Sequence, residues 1–275
     1  MSLLRVDRLG KKFGGVNAVD DLSFEIRPGA VYSIIGPNGA GKTTLLNMLT
    51  GVYQPSAGRI VFGEHDLTGC APYEYARHGI ARTFQNLQVF FNMSALENVM
   101  VGRYMQERCG LVSALLRSRR LARAEHACRE EAAELMRYVG LQNYLYASAD
   151  AMPYGALKRL EIARALATRP KLMLLDEPAA GLNPTEALEL DDLIGRLTGR
   201  GVTVVLVEHN MRLVMGVSDH ILVLDYGRKL AEGPALTVRN DPKVIEAYLG
   251  SAVSHDGTFG ETIADAVAVA VEMHR

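Results

Sequence analysis

The sequence predicts an α/β fold: a largely parallel sheet with an antiparallel β edge and an inserted helical subdomain. Three observations carry this. Short apolar runs alternate with helical patterns along most of the chain, the order of a parallel sheet whose crossovers are helices. VYSIIG (31–36), LMLLD (172–176) and VTVVLV (202–207) are almost unbroken in apolar residues, which suits strands covered on both faces. Between about Leu87 and Ala151 strand runs are missing and helical periodicity takes over.

Taken in order, LSFEI (22–26) and RIVFG (59–63) are shorter or alternate in polarity and fit the antiparallel edge. VYSIIG is the first central strand, and a helix follows Gly41. SALENVMVGRYM (94–105) and AEHACREEAAELMRYVGL (124–141) have helical period. A helix follows Gly155, then the strand LMLLD, a helix from Pro184, the strand VTVVLV, a helix after His209 and the strand HILVLD (220–225). From about Ser251 clear periodicity is lost. The expected division is a core of 1–86 and 159–250, a helical subdomain of 87–158 and a C-terminal tail of 251–275.

Composition sets bounds on function. A chain of 275 residues with 48% apolar content suits one large domain or a domain with an insertion. The net charge of −1 supplies no global basic field, so nucleic acid is not an expected partner. Cys70, Cys109 and Cys128 match no zinc or disulfide pattern, which points to a reducing compartment. No apolar run approaches the ~20 residues of a membrane helix, and the charges in MSLLRVDRLGKKF come too early for a secretory signal. Any membrane role is expected to come through a partner. Arg117, Arg119, Arg120 and Arg123 read as a solvated helix face rather than a lipid contact.

GPNGAGKTT fits G-x-x-x-x-G-K-[ST] from Gly36 to Thr43, after a strand and opening a helix. The candidate phosphate cradle is Gly36, Pro37, Asn38, Gly39, Ala40, Gly41, Lys42, Thr43 and Thr44. Its glycines let backbone N–H groups converge on phosphate oxygens, and the helix N-terminus adds partial positive charge. Lys42 would reach the β- and γ-phosphates, and Thr43 would ligate Mg²⁺. Asp176 ends an apolar strand, where a carboxylate can hold Mg²⁺. Glu177, next along, is placed to take a proton from attacking water.

With Gly36–Thr43, LMLLDEP (172–178), the turn at 152–155 and VEHN (207–210), the sequence resembles the ATPase subunits of ABC transporters over about residues 1–250. That resemblance implies a RecA-like P-loop NTPase core. GIARTFQNLQVFFNMSALENVMVG, KRLEIARAL, DEPAAGLNP, LVMGVSDHILVLDYGRKLAEG and AYLG look like the branch that energises uptake of branched-chain and other hydrophobic amino acids. The resemblance implies Phe13 stacking on adenine, Gln85 touching Mg²⁺ or the water and sensing the membrane partner, and His209 bonding the γ-phosphate. It implies that AAGLN (179–183) crosses between two ATPase subunits. The apolar LQVFF (87–91) suits a docking site for the membrane partner, with packing inside the subdomain as the alternative.

It also implies that the turn at 152–157 contacts the γ-phosphate of ATP held by the other subunit. The family commonly has Leu-Ser-Gly-Gly-Gln there. This chain has Met152-Pro153-Tyr154-Gly155-Ala156-Leu157. Tyr154 and Gly155 suit the branch, whereas Pro153 and Ala156 are departures. Proline lacks both a hydroxyl and an N–H, which predicts a cap that is also a weakened phosphate contact.

The implied cofactors are ATP and Mg²⁺. The implied partners are transmembrane permease subunits, a second ATPase subunit (the same chain or a related one) and, indirectly, a substrate-binding protein, at the cytoplasmic face of the cell membrane. Urea or amide import, lipid export and a soluble non-transport ATPase of this fold stay open at this point.

Overall fold

The computed structural model describes residues 2–103 and 119–252. The tail beyond Ala252, Cys109 and Arg117 lie outside the described residues, as do the side chains of Arg119 and Arg120.

Two sheets organise the chain. The larger has six strands in the order β10-β9-β3-β8-β7-β6: β3 (Val31–Ile35), β6 (Ile80–Arg82), β7 (Leu172–Asp176), β8 (Thr203–Val207), β9 (His220–Asp225) and β10 (Arg228–Gly233). All its pairings are parallel except the β9–β10 hairpin. The smaller sheet is antiparallel, in the order β2-β1-β4-β5, from β1 (Leu4–Phe13), β2 (Val16–Ile26), β4 (Ala57–Phe62) and β5 (His65–Asp66). The expected antiparallel edge is therefore a sheet of its own. Four of these ten strands were not anticipated: β1 has a basic, interrupted pattern, β5 has two residues, β6 has three, and β10 reads RKLAEG.

The unbroken apolar strands are buried on both faces. Met173, Leu175, Val204 and Leu206 face one core cluster, and Leu172, Leu174, Val205 and Val207 face another, as the two-residue side-chain period requires. The first cluster runs without a break into the helical region through Leu96, Val99, Met136 and Leu160. Truncating a side chain such as Leu174, fully buried, to alanine costs about 2–5 kcal/mol.

The helical region contains Ala95–Arg103 and Arg119–Tyr138. The helix Tyr154–Ala167 starts two residues earlier than the sequence suggested, so Gly155 lies inside its first turn. It runs continuously through residue 158, and Ser94 and Ser148 form an isolated antiparallel bridge beneath it in sequence. Among the described residues, no helix is long and apolar enough to cross a membrane.

Candidate functional site

The parallel strands bring the predicted residues to one sheet edge. The phosphate loop leaves β3, Asp176 ends β7 beside Val207 of β8, and His209 follows β8 by two residues. Gln85 follows β6, the next strand after β7. All leave the carboxyl ends of neighbouring strands, the place where open α/β sheets bind ligands.

The loop from Gly36 to Gly41 precedes the helix Lys42–Leu49. A Cβ on Gly36 would run into the Leu224 carbonyl, and one on Gly41 into the Ala18 carbonyl. Gly41 has φ 95°, in the left-handed region that glycine enters without steric penalty. The β9–β10 turn braces the same loop, because Gly227 N–H donates to Ala40 O at 3.1 Å. Gly36 also hydrogen-bonds the phenol of Tyr248 through its backbone, while burial pushes that phenol's pKa up.

Lys42 is buried and folded onto its own loop. Its Nζ donates to Gly36 O at 2.7 Å and Pro37 O at 2.9 Å. Burial lowers its pKa, against the fields of Glu177 and Asp176, which raise it. Thr43 is exposed at the same helix start.

Glu177 sits at the centre. Its Oε2 accepts from Gln85 Nε2 at 2.8 Å, and its Oε1 bonds His209 Nε2 at 2.9 Å. Its φ is 47°, an uncommon backbone conformation for a residue with a Cβ and a mark of functional sites. The three residues Gln85, Glu177 and His209, 124 positions apart from first to last, thus form one hydrogen-bonded group.

Asp176 is held differently from expectation. Its Oδ2 accepts from Arg82 Nη2 at 2.8 Å, with both side chains 5% exposed. Arg82 Nη1 also donates to Asn47 Oδ1 at 2.6 Å, and its guanidinium lies 4.8 Å from the Phe84 ring centroid. One oxygen of Asp176 is left for a metal. A single carboxylate, joined by a hydroxyl such as that of Thr43 and by phosphate oxygens of a bound nucleotide, would be a donor set that suits Mg²⁺, which keeps several waters.

The sequence reading missed Arg82, Lys158, Glu161 and Glu208. The helix Tyr154–Ala167 grips the segment after Gln85 at two points. Buried Lys158 donates through Nζ to Gln85 O at 3.0 Å, and buried Glu161 accepts Gln88 N–H at 2.6 Å. Burial raises the Glu161 pKa, opposed by that N–H and by Lys158 and Arg164. KRLE placed three charges among apolar residues on a helix, two of which are buried, and that mismatch was the signal available.

Phe13 and the turn at 153–155 lie apart from this group in their contacts. Phe13 is exposed and meets Tyr53 edge-on at 5.3 Å, with Lys11 Nζ 5.0 Å from its centroid. Pro153 is the N-cap residue, at φ −62° and ψ 153°, with no side-chain cap bond. Tyr154 packs over Gly181, and Glu186 lies where a Cβ on Gly155 would go. In the 87–91 segment, Leu87 and Val89 pack partly on the core while Phe90 and Phe91 are exposed.

Known proteins match this geometry. The family model described as ABC transporter matches residues 19–180, and that described as branched-chain amino acid ATP-binding cassette transporter matches residues 228–254. The high-affinity branched-chain amino acid transport ATP-binding protein LivG of Escherichia coli (strain K12) is 44% identical over 251 residues, covering 91% of this chain and 98% of that protein. The corresponding protein BraF of Pseudomonas aeruginosa is 43% identical over 251 residues, with the same coverage. The crystal structure of a nucleotide-free ATP-binding cassette from an ABC transporter superposes with a TM-score of 0.78 at 34% identity, covering 90% of this chain and 99% of that one.

Proposed function

The chain belongs to the ABC transporter family, and from that premise we propose that it is the ATP-hydrolysing subunit that energises an importer of branched-chain or other hydrophobic amino acids. The observation that carries this is Glu177, held between Gln85 and His209 beside the Lys42 phosphate loop. The match at 228–254 to the branched-chain family favours that substrate class.

The phosphate loop N–H groups and Lys42 hold the phosphates of ATP. In doing so Lys42 exchanges the carbonyls of Gly36 and Pro37 for charged oxygens, a stronger hydrogen-bond partner. Glu177 takes the proton of the attacking water. Each of its oxygens carries one hydrogen bond and keeps a second acceptor site for the water, while His209 turns toward the γ-phosphate. Thr43, Asp176 and Gln85 would hold Mg²⁺, which supplies charge neutralisation of the phosphates when bound. Phe13 would stack on adenine, with Tyr53 buttressing its ring.

A second ATPase subunit supplies the turn that closes on this ATP, and the turn at Pro153–Gly155 serves the nucleotide of that partner. Transmembrane permease subunits dock on the exposed Phe90–Phe91 segment at the cytoplasmic face of the membrane. Lys158 and Glu161, which join this segment to the turn's helix, support that arrangement. A substrate-binding protein selects the cargo.

The test is affinity purification of the full chain from detergent-solubilised membranes, with its companions identified by mass. Two unlike multi-pass proteins and a second, related ATPase are expected. Recovery of the chain without any membrane protein would overturn the importer reading in favour of a non-transport ATPase.

A further inference from the structure

One buried carboxylate beside the hydrolysis group has no part in the chemistry above. Glu208, 4% exposed, follows β8 directly. Its Oε1 accepts from Ala179 N–H at 2.8 Å. Its Oε2 accepts from His209 N–H at 3.0 Å and Asn210 N–H at 3.3 Å. The donors belong to two separate segments, the loop after Glu177 and the loop that carries His209.

Two further bonds join the same segments. Glu177 N–H donates to Val207 O at 2.8 Å, and the Glu177 side chain bonds His209 Nε2. Residues 177–179 and 207–210 therefore form a closed frame around Glu177, whose left-handed backbone needs its surroundings to hold it. Within that frame Glu208 is the strut reaching Ala179, where the loop 179–183 begins.

We propose that Glu208 is a positioning residue that couples the loop 179–183 to His209, so that a shift of either loop is felt by the other. This rests on the ATPase reading given above. The physical reason is desolvation: a buried carboxylate is tolerated only while donors surround it. If Ala179 withdraws, Oε1 loses its donor, and the whole carboxylate, with His209 and Asn210 attached, is driven to follow. The role requires two acceptor oxygens. A glutamine offers one, so it serves either Ala179 or the His209–Asn210 pair, and its NH₂ faces an N–H on the other side.

The test uses the full chain with Glu208→Gln and, independently, Ala179→Pro, which removes the donor from the opposite end of the strut. Steady-state ATPase is read together with amide hydrogen exchange. For Glu208→Gln, kcat is expected to fall by about tenfold or more, with KM for ATP within about threefold, as for loss of a charge-assisted contact that does not touch nucleotide. Exchange across 177–183 should quicken by a similar factor while the phosphate loop at 36–44 stays at the parent rate. The double variant should be little worse than either single one, since both cut the same strut.

Parental kcat in Glu208→Gln overturns the proposal. So does a fall in kcat with exchange at 177–183 unchanged, since the residue would then act by another route. If Glu208→Gln does not fold, Ala179→Pro decides by exchange at 207–210: parental rates there overturn the coupling. A parent chain without ATPase activity would refute the functional reading, and the exchange comparison would still decide the coupling.

Discussion

Removing the Arg82 guanidinium isolates a buried charge at the end of β7. Arg82 and Asp176 pair at 2.8 Å with both side chains 5% exposed. In Arg82→Met the apolar stem is kept and the charge is lost. Breaking a buried pair from one side costs about 3–5 kcal/mol, because the remaining ion stays out of water without its partner. The bond from Arg82 to Asn47 is lost as well, adding about 1 kcal/mol. At roughly 2–4 °C per kcal/mol for a chain of this size, the melting temperature of the nucleotide-free protein should drop by about 8–24 °C. Two controls sharpen the reasoning. Asp176→Asn in the Arg82→Met background should recover most of the loss, since a neutral amide needs no counter-charge. Mg²⁺ with ATP should also recover part of it, since binding to the folded state alone stabilises by mass action and, on the function proposed above, the cation would stand in for the guanidinium beside Asp176. The assay is thermal and urea unfolding with and without Mg–ATP. A loss below about 1 kcal/mol, or a double variant no more stable than the single one, would refute the claim that this pair is an electrostatic unit.

Three other outcomes follow from the same geometry. Glu177→Gln should keep ATP binding and lower turnover by about 10²–10⁴-fold, leaving an ATP-bound closed dimer visible by size-exclusion chromatography; turnover close to the parent would remove Glu177 as base. Pro153→Ser should raise steady-state ATPase several-fold, up to about tenfold, and add about 0.5–2 kcal/mol through the new cap; no change in ATPase would make Pro153 a neutral cap. Glu161→Gln tests burial through pH. The folded-state pKa of Glu161 lies above its ordinary 4.5, so between 4.5 and the raised value the folded state holds more protons than the unfolded one. Stability of the parent therefore falls as pH rises through that window. Glutamine keeps an acceptor for Gln88 N–H and has no such slope, so the variant should gain on the parent above pH 4.5 in urea unfolding. A difference that stays flat with pH would show that burial does not perturb this carboxyl.

What the sequence disclosed depended on whether a feature was local. The phosphate loop was legible because glycine spacing, a preceding apolar strand and a following helix all lie within 19 residues, 31–49. The continuous runs of β3, β7 and β8 announced two-sided burial, and the two core clusters on alternate faces show why. β1 and β10 were not legible. Both carry basic residues, and their pattern is set by pairing rather than by local hydrophobicity: β1 is held between β2 and β4, Val6 lying opposite Phe24 and Ile60, and β10 is the margin strand paired with β9, so sheet pairing overrode the local pattern. Arg82, Lys158 and Glu208 were hidden for a related reason. Each acts through a partner distant in the chain, Asp176, Gln85 and Ala179 respectively, and a charged residue in a plain segment gives no hint of what it will meet.

The turn at Pro153 shows how structure alters a reading without reversing it. From sequence, proline cost the turn a hydroxyl and an N–H, and a weakened phosphate contact followed. The structure adds Glu186, which caps its own helix through Asn183 and also lies against Gly155. A carboxylate at the first turn of the helix Tyr154–Ala167 complements its positive end. The turn therefore keeps a favourable acid at its positive end without serine, which accounts for proline being tolerated there, although a serine cap would still add to its stability. If the turn serves a partner's nucleotide as proposed above, the same carboxylate would place negative charge where the γ-phosphate approaches. Loss of a donor and gain of a like charge act in the same direction, so a serine at 153 restores only one of the two. That sets the gain expected for Pro153→Ser at several-fold rather than the full hundredfold that one charge-assisted bond can give at its upper limit of about 3 kcal/mol.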